Sequence, residues 1–165
     1  MIRILATGGT FDKEYDEING KLFFKDSHIN EILELGRCKA DVELRTLMMI
    51  DSLDMTDNER SLIAYNCENS DEDQIVITHG TDTMAETARY LKKREIEKTI
   101  VLTGALIPYQ FGSSDGLFNL GNALGFVQVL PKGVYVVMNG RYFGAGEVRK
   151  NVKTGYFEPI AATKV

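Results

Sequence analysis

Short apolar runs alternate along the chain with longer stretches in which apolar residues recur every three or four positions. The short runs are typical of buried strands, and the pattern predicts them at residues 2–6, 41–49, 74–78, 99–102 and 133–138. The periodic stretches between them predict amphipathic helices, and a short extra strand is expected near residues 141–143. This alternation is typical of βαβ crossovers. We therefore predict a doubly wound α/β fold, a largely parallel sheet with helices on both faces.

Local signals indicate where the helices begin and end. Asp26 or Ser27 is expected to cap the first helix and Gly36 to end it. Thr-x-x-Glu at residues 56–59 is a capping box before the second helix, and Asp115 is expected to cap the last one.

Two further stretches carry expectations of their own. Residues 11–26 form the longest segment without clear periodicity, so no regular element is predicted there. Gly121 and Gly125 weaken the last helix but lie four residues apart on one side. We expect them to allow close packing of this helix against the sheet.

Composition and charge limit the classes of partner and the compartment that we expect for the protein. The 165 residues carry a formal net charge of −5 and no dense basic run, which argues against nucleic acid and anionic membrane surfaces and favours a small-molecule ligand. Cys38 and Cys67 lie far apart, so reduced thiols are expected. Because no signal-like leader precedes Ile2 and no apolar run reaches about 18 residues, we expect a cytoplasmic protein.

Known cofactor motifs are missing from the sequence. The glycine pair after the first strand does not match GxGxxG, and no GxxxxGK[ST] string occurs. With only two histidines, His28 and His79, metal binding is not expected either, and His79 is interpreted as structural. We therefore predict neither a cofactor nor a metal.

Two threonines follow buried strands that end in glycine. Thr10 closes Thr7-Gly8-Gly9-Thr10, and Thr81 lies in Thr78-His79-Gly80-Thr81-Asp82-Thr83. In an open α/β sheet the carboxyl ends of the strands form the rim where ligands bind, and Ser52 follows another strand to the same rim. A glycine beside a β-branched hydroxyl lets the backbone approach a substrate closely, so these threonines are candidate nucleophiles.

A threonine hydroxyl needs an adjacent base to act as a nucleophile at neutral pH. Asp82 and Lys150 are candidates to activate it, because a desolvated lysine beside a carboxylate can serve as a base. Asp82 taken alone is more often a helix cap than a catalytic group, although it can be both, and Lys150 alone is an ordinary surface lysine. Backbone N–H groups at a glycine-rich strand end can stabilise an oxyanion, which favours amide or ester hydrolysis.

At these residues the chain resembles the bacterial-type L-asparaginase family. Ile4-Leu5-Ala6-Thr7-Gly8-Gly9-Thr10 is similar to the first family signature, and residues 77–84 with Glu86-Thr87-Ala88 are similar to the second. Further matches follow in the same order along the chain: Asp51-Ser52, Ser114-Asp115-Gly116, Phe118-Asn119-Leu120, Val136-Val137-Met138-Asn139 and Glu147-Val148-Arg149-Lys150. The resemblance covers nearly all residues and implies hydrolysis of asparagine, or a related small amide, by a threonine nucleophile.

The resemblance also implies roles for individual residues. The nucleophile corresponds to Thr10, and the supporting threonine, aspartate and lysine correspond to Thr81, Asp82 and Lys150. The residues expected to contact substrate are Ser52 and Asp82, which would hold its α-carboxylate and α-amino groups, together with Gly9, Asp51, Gly80 and Ala105. Asn119 is interpreted as a residue that braces a loop.

The segment after the first signature holds a catalytic tyrosine in the family. Here Tyr15, Phe23 and Phe24 compete for that place, and only Tyr15 has a hydroxyl. We therefore predict Tyr15 as the fifth catalytic residue.

Length is the main departure from the family. Its members continue into a smaller C-terminal domain that helps form the oligomer and lends an acid to a neighbouring site, whereas we expect residues 1–165 to form a single catalytic domain without it. The resemblance implies a homodimer or higher homo-oligomer. The alternatives are a non-catalytic module that binds an acidic amino acid, a subunit of an amidotransferase, or a structural partner chain.

Overall fold

The computed structural model describes residues 1–160, in which a six-stranded sheet is flanked by helices. The strands are β1 (Ile2–Gly8), β2 (Lys13–Asp16), β3 (Lys21–Phe24), β4 (Val42–Ile50), β5 (Gln74–Thr78), β6 (Thr99–Thr103), β7 (Gly133–Met138), β8 (Arg141–Gly144), β9 (Val148–Lys150) and β10 (Phe157–Pro159). The helices are α1 (Ile29–Leu35), α2 (Asp57–Glu68), α3 (Met84–Lys92) and α4 (Gly116–Val127). The predicted α/β fold is confirmed.

The order of strands in the sheet determines where a ligand crevice lies. The order is β4-β1-β5-β6-β7-β8, and the first five strands run parallel, while β8 runs antiparallel to β7. The chain leaves β1 for β4 on one side and then crosses to β5 on the other side of β1. In such sheets the crevice opens where the order reverses, outside the carboxyl ends of β1 and β5.

Apolar side chains fill both faces of the sheet. Helices α1 and α4 cover one face, where Ile32 and Leu120 are each 1% exposed. Helices α2 and α3 cover the other, where Ile63 and Met84 are fully buried. Buried strands covered on both faces give continuous apolar runs rather than alternating ones, which is the pattern read from the sequence.

Some predicted helix ends are confirmed and others are wrong. The capping box at Thr56 forms, and Gly36 ends α1 as predicted. Two residues hold the start of α1: the Ser27 hydroxyl, as predicted, accepts a hydrogen bond of 3.4 Å from the Ile29 amide, and the distant Asp12 Oδ1 accepts one of 2.9 Å from the His28 amide. Asp115 precedes α4 but does not bond its first turn, since its carboxylate accepts from the amides of Leu106 and Ile107.

The segment without periodicity is regular after all. Residues Thr10–Asp12 form one 3-10 turn, and β2 pairs with β3 as an antiparallel hairpin over residues 13–24. The turn between the strands is held by the Asp16 carboxylate, which accepts from the amides of Ile18 and Asn19, and by Gly20 at a φ of 65°. Asn19-Gly20 is the local signal that predicts this hairpin.

The prediction for the glycines of α4 is wrong. A methyl group added at Gly121 or Gly125 would meet no atom within 4 Å, so neither glycine packs against the sheet. Both face an open apolar groove bordered by Leu117, Phe118 and Phe126. The absent side chains therefore shape the surface of α4 rather than its packing.

The last part of the chain contains more strand than predicted. The expected strand near residues 141–143 is confirmed as β8, but β9 and its antiparallel partner β10 were not predicted. The prediction that residues 1–165 form one domain extends to residues 161–165, which lie outside the described residues. Within residues 1–160, no helix combines the length and apolar character needed to cross a membrane.

Candidate active site

The turn after β1 presents Thr10 at the rim of the sheet. The pairing of β1 with β4 shifts register between Ala6 and Gly8, which redirects the chain as it leaves the sheet. The Gly9 amide donates to the Ile50 carbonyl at 2.9 Å and fixes the turn to β4. Thr10 then begins the 3-10 turn with a half-buried side chain. Its hydroxyl makes no hydrogen bond with another residue of the described chain.

The turn after β5 lies directly against the first turn. Gly9 has a φ of 78°, and a methyl group on it would collide with the backbone of Gly80. A methyl group on Gly80 would lie 2.5 Å from the Ser52 hydroxyl oxygen. These contacts explain why both positions need glycine. The three rim turns that follow β1, β4 and β5 therefore pack on one another, as the positions of Thr10, Ser52 and Thr81 predict.

Lys150 connects the second turn to the end of β9. Its Nζ donates to Thr81 Oγ1 at 2.8 Å and to Asp82 Oδ1 at 2.7 Å. The Lys150 side chain is 16% exposed, whereas that of Asp82 is 48% exposed. A hydroxyl, an amine and a carboxylate from sequence positions almost 70 residues apart thus form one hydrogen-bonded group. Such a group can move a proton at the mouth of the crevice.

Ser52 is enclosed by the structure around it. Its side chain is 1% exposed, and its carbonyl accepts a hydrogen bond of 2.8 Å from the Thr83 hydroxyl. In this structure Ser52 braces the second turn, and its contact with substrate stays a prediction.

Asp51 is paired with a lysine that the sequence analysis missed. Lys13 Nζ lies 2.5 Å from Asp51 Oδ2, and the hydrogen bond it donates lowers the pKa of the Asp51 carboxyl. Lys13 begins β2, so the ion pair joins the hairpin to the rim. No local pattern points to Lys13, because its partner is 38 residues away.

Tyr15 and Ala105 also lie on segments that reach the rim. Tyr15, on β2, is 51% exposed, and its ring stands edge-on to Phe111 with 6.4 Å between the ring centroids. Ala105 belongs to the loop after β6, and its methyl group is buried in the same apolar cluster as Ile32 and Leu120. Neither side chain contacts Thr10 or Lys150 through a hydrogen bond in residues 1–160, so their roles in binding and catalysis stay predictions.

Asn119 braces the loop that carries Ala105, as the sequence predicts. Its side-chain amide donates to the Gly104 carbonyl at 2.9 Å and to Asp115 at 3.0 Å, while its oxygen accepts from the Asn139 amide at 3.1 Å. One buried side chain thereby ties the ends of β6 and β7 to α4.

His79 supports the second turn from below. The ring is fully buried, which lowers the pKa of His79 to about 4. Because Nδ1 lies 2.7 Å from the Gly80 carbonyl, which can only accept, the neutral ring carries its proton on Nδ1. Nε2 then accepts from the Thr87 hydroxyl at 2.9 Å, and Thr87 accepts from Arg60 at 3.2 Å. This chain of bonds fixes the Gly80 carbonyl.

The buried His79 predicts a loss of stability in mild acid. An ordinary histidine has a pKa near 6.5, so below that pH the unfolded chain binds a proton that the folded chain excludes. Stability therefore falls as the pH drops from 6.5 towards 4. Between pH 7 and pH 5 we expect a loss of about 2 kcal/mol from this residue, measured by urea unfolding.

The variant His79→Gln is the control for this effect, because glutamine does not titrate. It should be less stable than wild type at pH 7 but should lose about 2 kcal/mol less on going to pH 5. Equal losses in both proteins would show that His79 is not the titrating group.

Comparison with known proteins places this geometry in a family. The family model described as "Asparaginase, N-terminal" matches residues 1–161. A probable periplasmic L-asparaginase of Haemophilus influenzae is 36% identical over 165 residues, which cover 93% of this chain and 47% of that protein. A glutamyl-tRNA(Gln) amidotransferase subunit of Thermococcus kodakarensis is 34% identical over 147 residues, covering 84% of this chain and 33% of that protein.

A solved structure supports the same relationship. The thermostable L-asparaginase from Thermococcus kodakarensis superposes with a TM-score of 0.86 at 29% identity, over 98% of this chain and 51% of that one. The chain thus spans about half the length, or less, of the curated relatives it matches. On the match of residues 1–161 and the shared fold, the chain belongs to the asparaginase family, to whose N-terminal domain it corresponds.

Proposed function

We propose that the chain hydrolyses the side-chain amide of L-asparagine, or of a related small amide, to the acid and ammonia. The observation that carries the proposal is the contact of Lys150 with both Thr81 and Asp82, beside the turn that bears Thr10. The relatives named L-asparaginase support the substrate class.

In the proposed reaction the Thr10 hydroxyl attacks the carboxamide carbon. The proton of the hydroxyl leaves through the group formed by Thr81, Lys150 and Asp82 and reaches the departing nitrogen, which is released as ammonia. Water then attacks the acyl-enzyme ester and releases the acid. The proposed substrate-binding residues are Gly9, Asp51, Ser52, Gly80 and Ala105. Tyr15, on the hairpin, is the remaining proposed catalytic residue.

The test is ammonia release from asparagine, glutamine and small amides without an α-amino group. Turnover of asparagine that requires Thr10 supports the proposal. The absence of turnover for every amide, in a folded protein, contradicts it. The three substrate types also separate an amino-acid amidase from a general small-amide hydrolase.

A second function is favoured by one relative. Because an amidotransferase subunit matches 84% of the chain, residues 1–165 can instead act as part of an amidotransferase or as a binding module for an acidic amino acid. Calorimetry would distinguish the two: aspartate binding without ammonia release from any amide favours the second function over hydrolysis.

We also propose that the chain forms a homodimer or higher homo-oligomer. No charged residue occurs from Gly116 to Pro131, and Phe118 and Val129 are 60% and 75% exposed. A large exposed apolar patch of this kind is typical of an interface. Phe118→Glu should convert the oligomer to a monomer in light scattering, and an unchanged mass would exclude this face.

A cytoplasmic location is the remaining proposal. It is supported by Cys38 and Cys67, which are both free thiols in the structure, as expected in a reducing compartment. Cell fractionation of the tagged chain tests it, and recovery in the periplasm or medium would contradict it.

A further inference from the structure

A buried carboxylate lies in the same turn as Thr10. Asp12 is fully buried, and burial raises the pKa of its carboxyl. Its Oδ1 accepts from the His28 amide at 2.9 Å and from the Ser27 hydroxyl at 3.2 Å. Asp12 therefore fixes the 3-10 turn that carries Thr10 to the start of α1, although the two segments are 16 residues apart in sequence.

The His28 ring touches three separate segments of the chain. Nε2 lies 3.4 Å from the carboxylate of Glu14, in β2 of the hairpin. Nδ1 lies 3.2 Å from the side-chain amide of Gln110, in the loop after β6, and 3.2 Å from Glu31 in α1. The ring is almost fully buried, with an exposure of 3%. It is therefore the point at which the hairpin, the loop and α1 meet.

Besides the contact of Glu14 with His28, two other contacts join the hairpin to the rest of the protein. Lys13 pairs with Asp51 at the rim, and the Tyr15 ring meets Phe111 of the loop. Successive side chains of a strand point to opposite faces, so Glu14 faces away from Lys13 and Tyr15. Its contact with His28 therefore lies on the other face of the hairpin. Of these contacts of the hairpin, the one through Tyr15 ends on the loop and the one through Glu14 ends on His28.

Two buried polar atoms at this junction have no hydrogen-bond partner in residues 1–160. They are Asp12 Oδ2 and His28 Nε2, whose 3.4 Å approach to the Glu14 carboxylate is a close contact and not a hydrogen bond. Nearly all buried polar atoms in folded proteins are paired, so exceptions call for an explanation and are frequent at functional sites. Both exceptions here belong to the residues that join the Thr10 turn to the hairpin.

We propose that Asp12 and His28 are positioning residues, which couple the turn bearing Thr10 to the hairpin bearing Tyr15. For its effect on catalysis this inference rests on the proposed amide hydrolysis. Asp12 holds the turn that bears Thr10 through the backbone of His28, and the His28 ring packs against Glu14 of the hairpin and hydrogen-bonds Gln110 of the loop. Neither residue is assigned a contact with the substrate.

Hydrogen exchange followed by mass spectrometry tests the coupling without any activity. His28→Ala and Asp12→Ala should each accelerate amide exchange over residues 13–24 at least tenfold, while exchange in β5 stays unchanged. The matched control is Glu31→Ala, which removes the partner of His28 on its own helix and leaves the contact with Glu14. This control should exchange like wild type over the hairpin.

Kinetics then test the link to catalysis. Small displacements of a catalytic group reduce rates by one to two orders of magnitude, so we expect His28→Ala to lower kcat about tenfold with KM within threefold of wild type. His28→Gln, which can still reach Glu14 and Gln110, should restore most of kcat. A purely structural role would lower thermal stability and leave kcat of the folded fraction intact.

Several outcomes overturn the proposal. Unchanged exchange over residues 13–24 in both His28→Ala and Asp12→Ala would overturn it. If both variants fail to fold, the test uses Gln110→Ala, because Gln110 is exposed and its loss should not prevent folding. The proposal is then overturned unless this variant accelerates exchange over residues 13–24 at least threefold. A wild type that releases no ammonia refutes the proposed function instead, because the exchange experiment still decides whether the two segments are coupled.

Discussion

Thr10→Ala is expected to lower amide turnover by about 10⁴-fold or more, since removal of a nucleophile leaves only the rate due to binding and oxyanion stabilisation. The structure makes this a clean substitution. The Thr10 hydroxyl makes no hydrogen bond within residues 1–160, and its side chain is half-buried at the rim. The fold should therefore be preserved, and the melting temperature should remain within a few degrees of wild type. Ammonia release under saturating asparagine measures the effect.

Two controls separate the chemistry of the hydroxyl from its shape. Thr10→Val keeps the branched side chain without the hydroxyl and should be as inactive as Thr10→Ala, whereas Thr10→Ser should keep part of the activity. Because Thr81 is the threonine that Lys150 contacts, the two hydroxyls must also be told apart. Acid quenching and peptide mapping should find the acyl group on Thr10, and an acyl group on Thr81 would assign the nucleophile to the second turn.

The regular part of the fold follows from the sequence because its signals are local. Strands β5 and β7 have the predicted bounds, Gln74–Thr78 and Gly133–Met138, since buried parallel strands give uninterrupted apolar runs between turn residues. The capping box at Thr56 also forms, because both of its hydrogen bonds join residues within one turn of helix.

Features that depend on distant partners escaped the same reasoning. Ser27 bonds the first amide of α1 as local rules predict, but no local rule indicates Asp12, which bonds the His28 amide from 16 residues away. The hairpin of β2 and β3 has short strands with exposed residues, so no apolar period marks it. Lys13 looks like any charged residue of such a strand until the fold brings Asp51 to it.

The candidate site also combines residues that local signals identify with a residue that they do not. Glycine next to threonine after a buried strand identifies both rim turns, and parallel strands bring their carboxyl ends to one edge. The contact between Gly9 and Gly80 follows from that topology. The position of Lys150 does not follow from the topology, because β9 is a three-residue strand outside the main sheet. Only the family resemblance indicated its role.

Lys150→Met is expected to lower kcat by about 10³-fold, within the range known for removal of a general acid or base. Methionine keeps much of the apolar stem of lysine but removes both hydrogen bonds, to Thr81 and to Asp82. Asp82 is about half exposed, so water can solvate its carboxylate and the folded state should tolerate the change. KM should change much less than kcat if the amine acts in proton transfer rather than in binding.

The exposed Lys153, three residues further along the chain, provides the matched control. Lys153→Met removes the same charge and leaves Thr81 and Asp82 paired with Lys150, so kcat should remain within twofold of wild type. Lys150→Arg should also be strongly impaired, because the guanidinium keeps its charge but cannot give up a proton. If Lys150→Met behaves like Lys153→Met, the amine has no part in the reaction, and the proposed route for the proton through Thr81 and Asp82 must be abandoned.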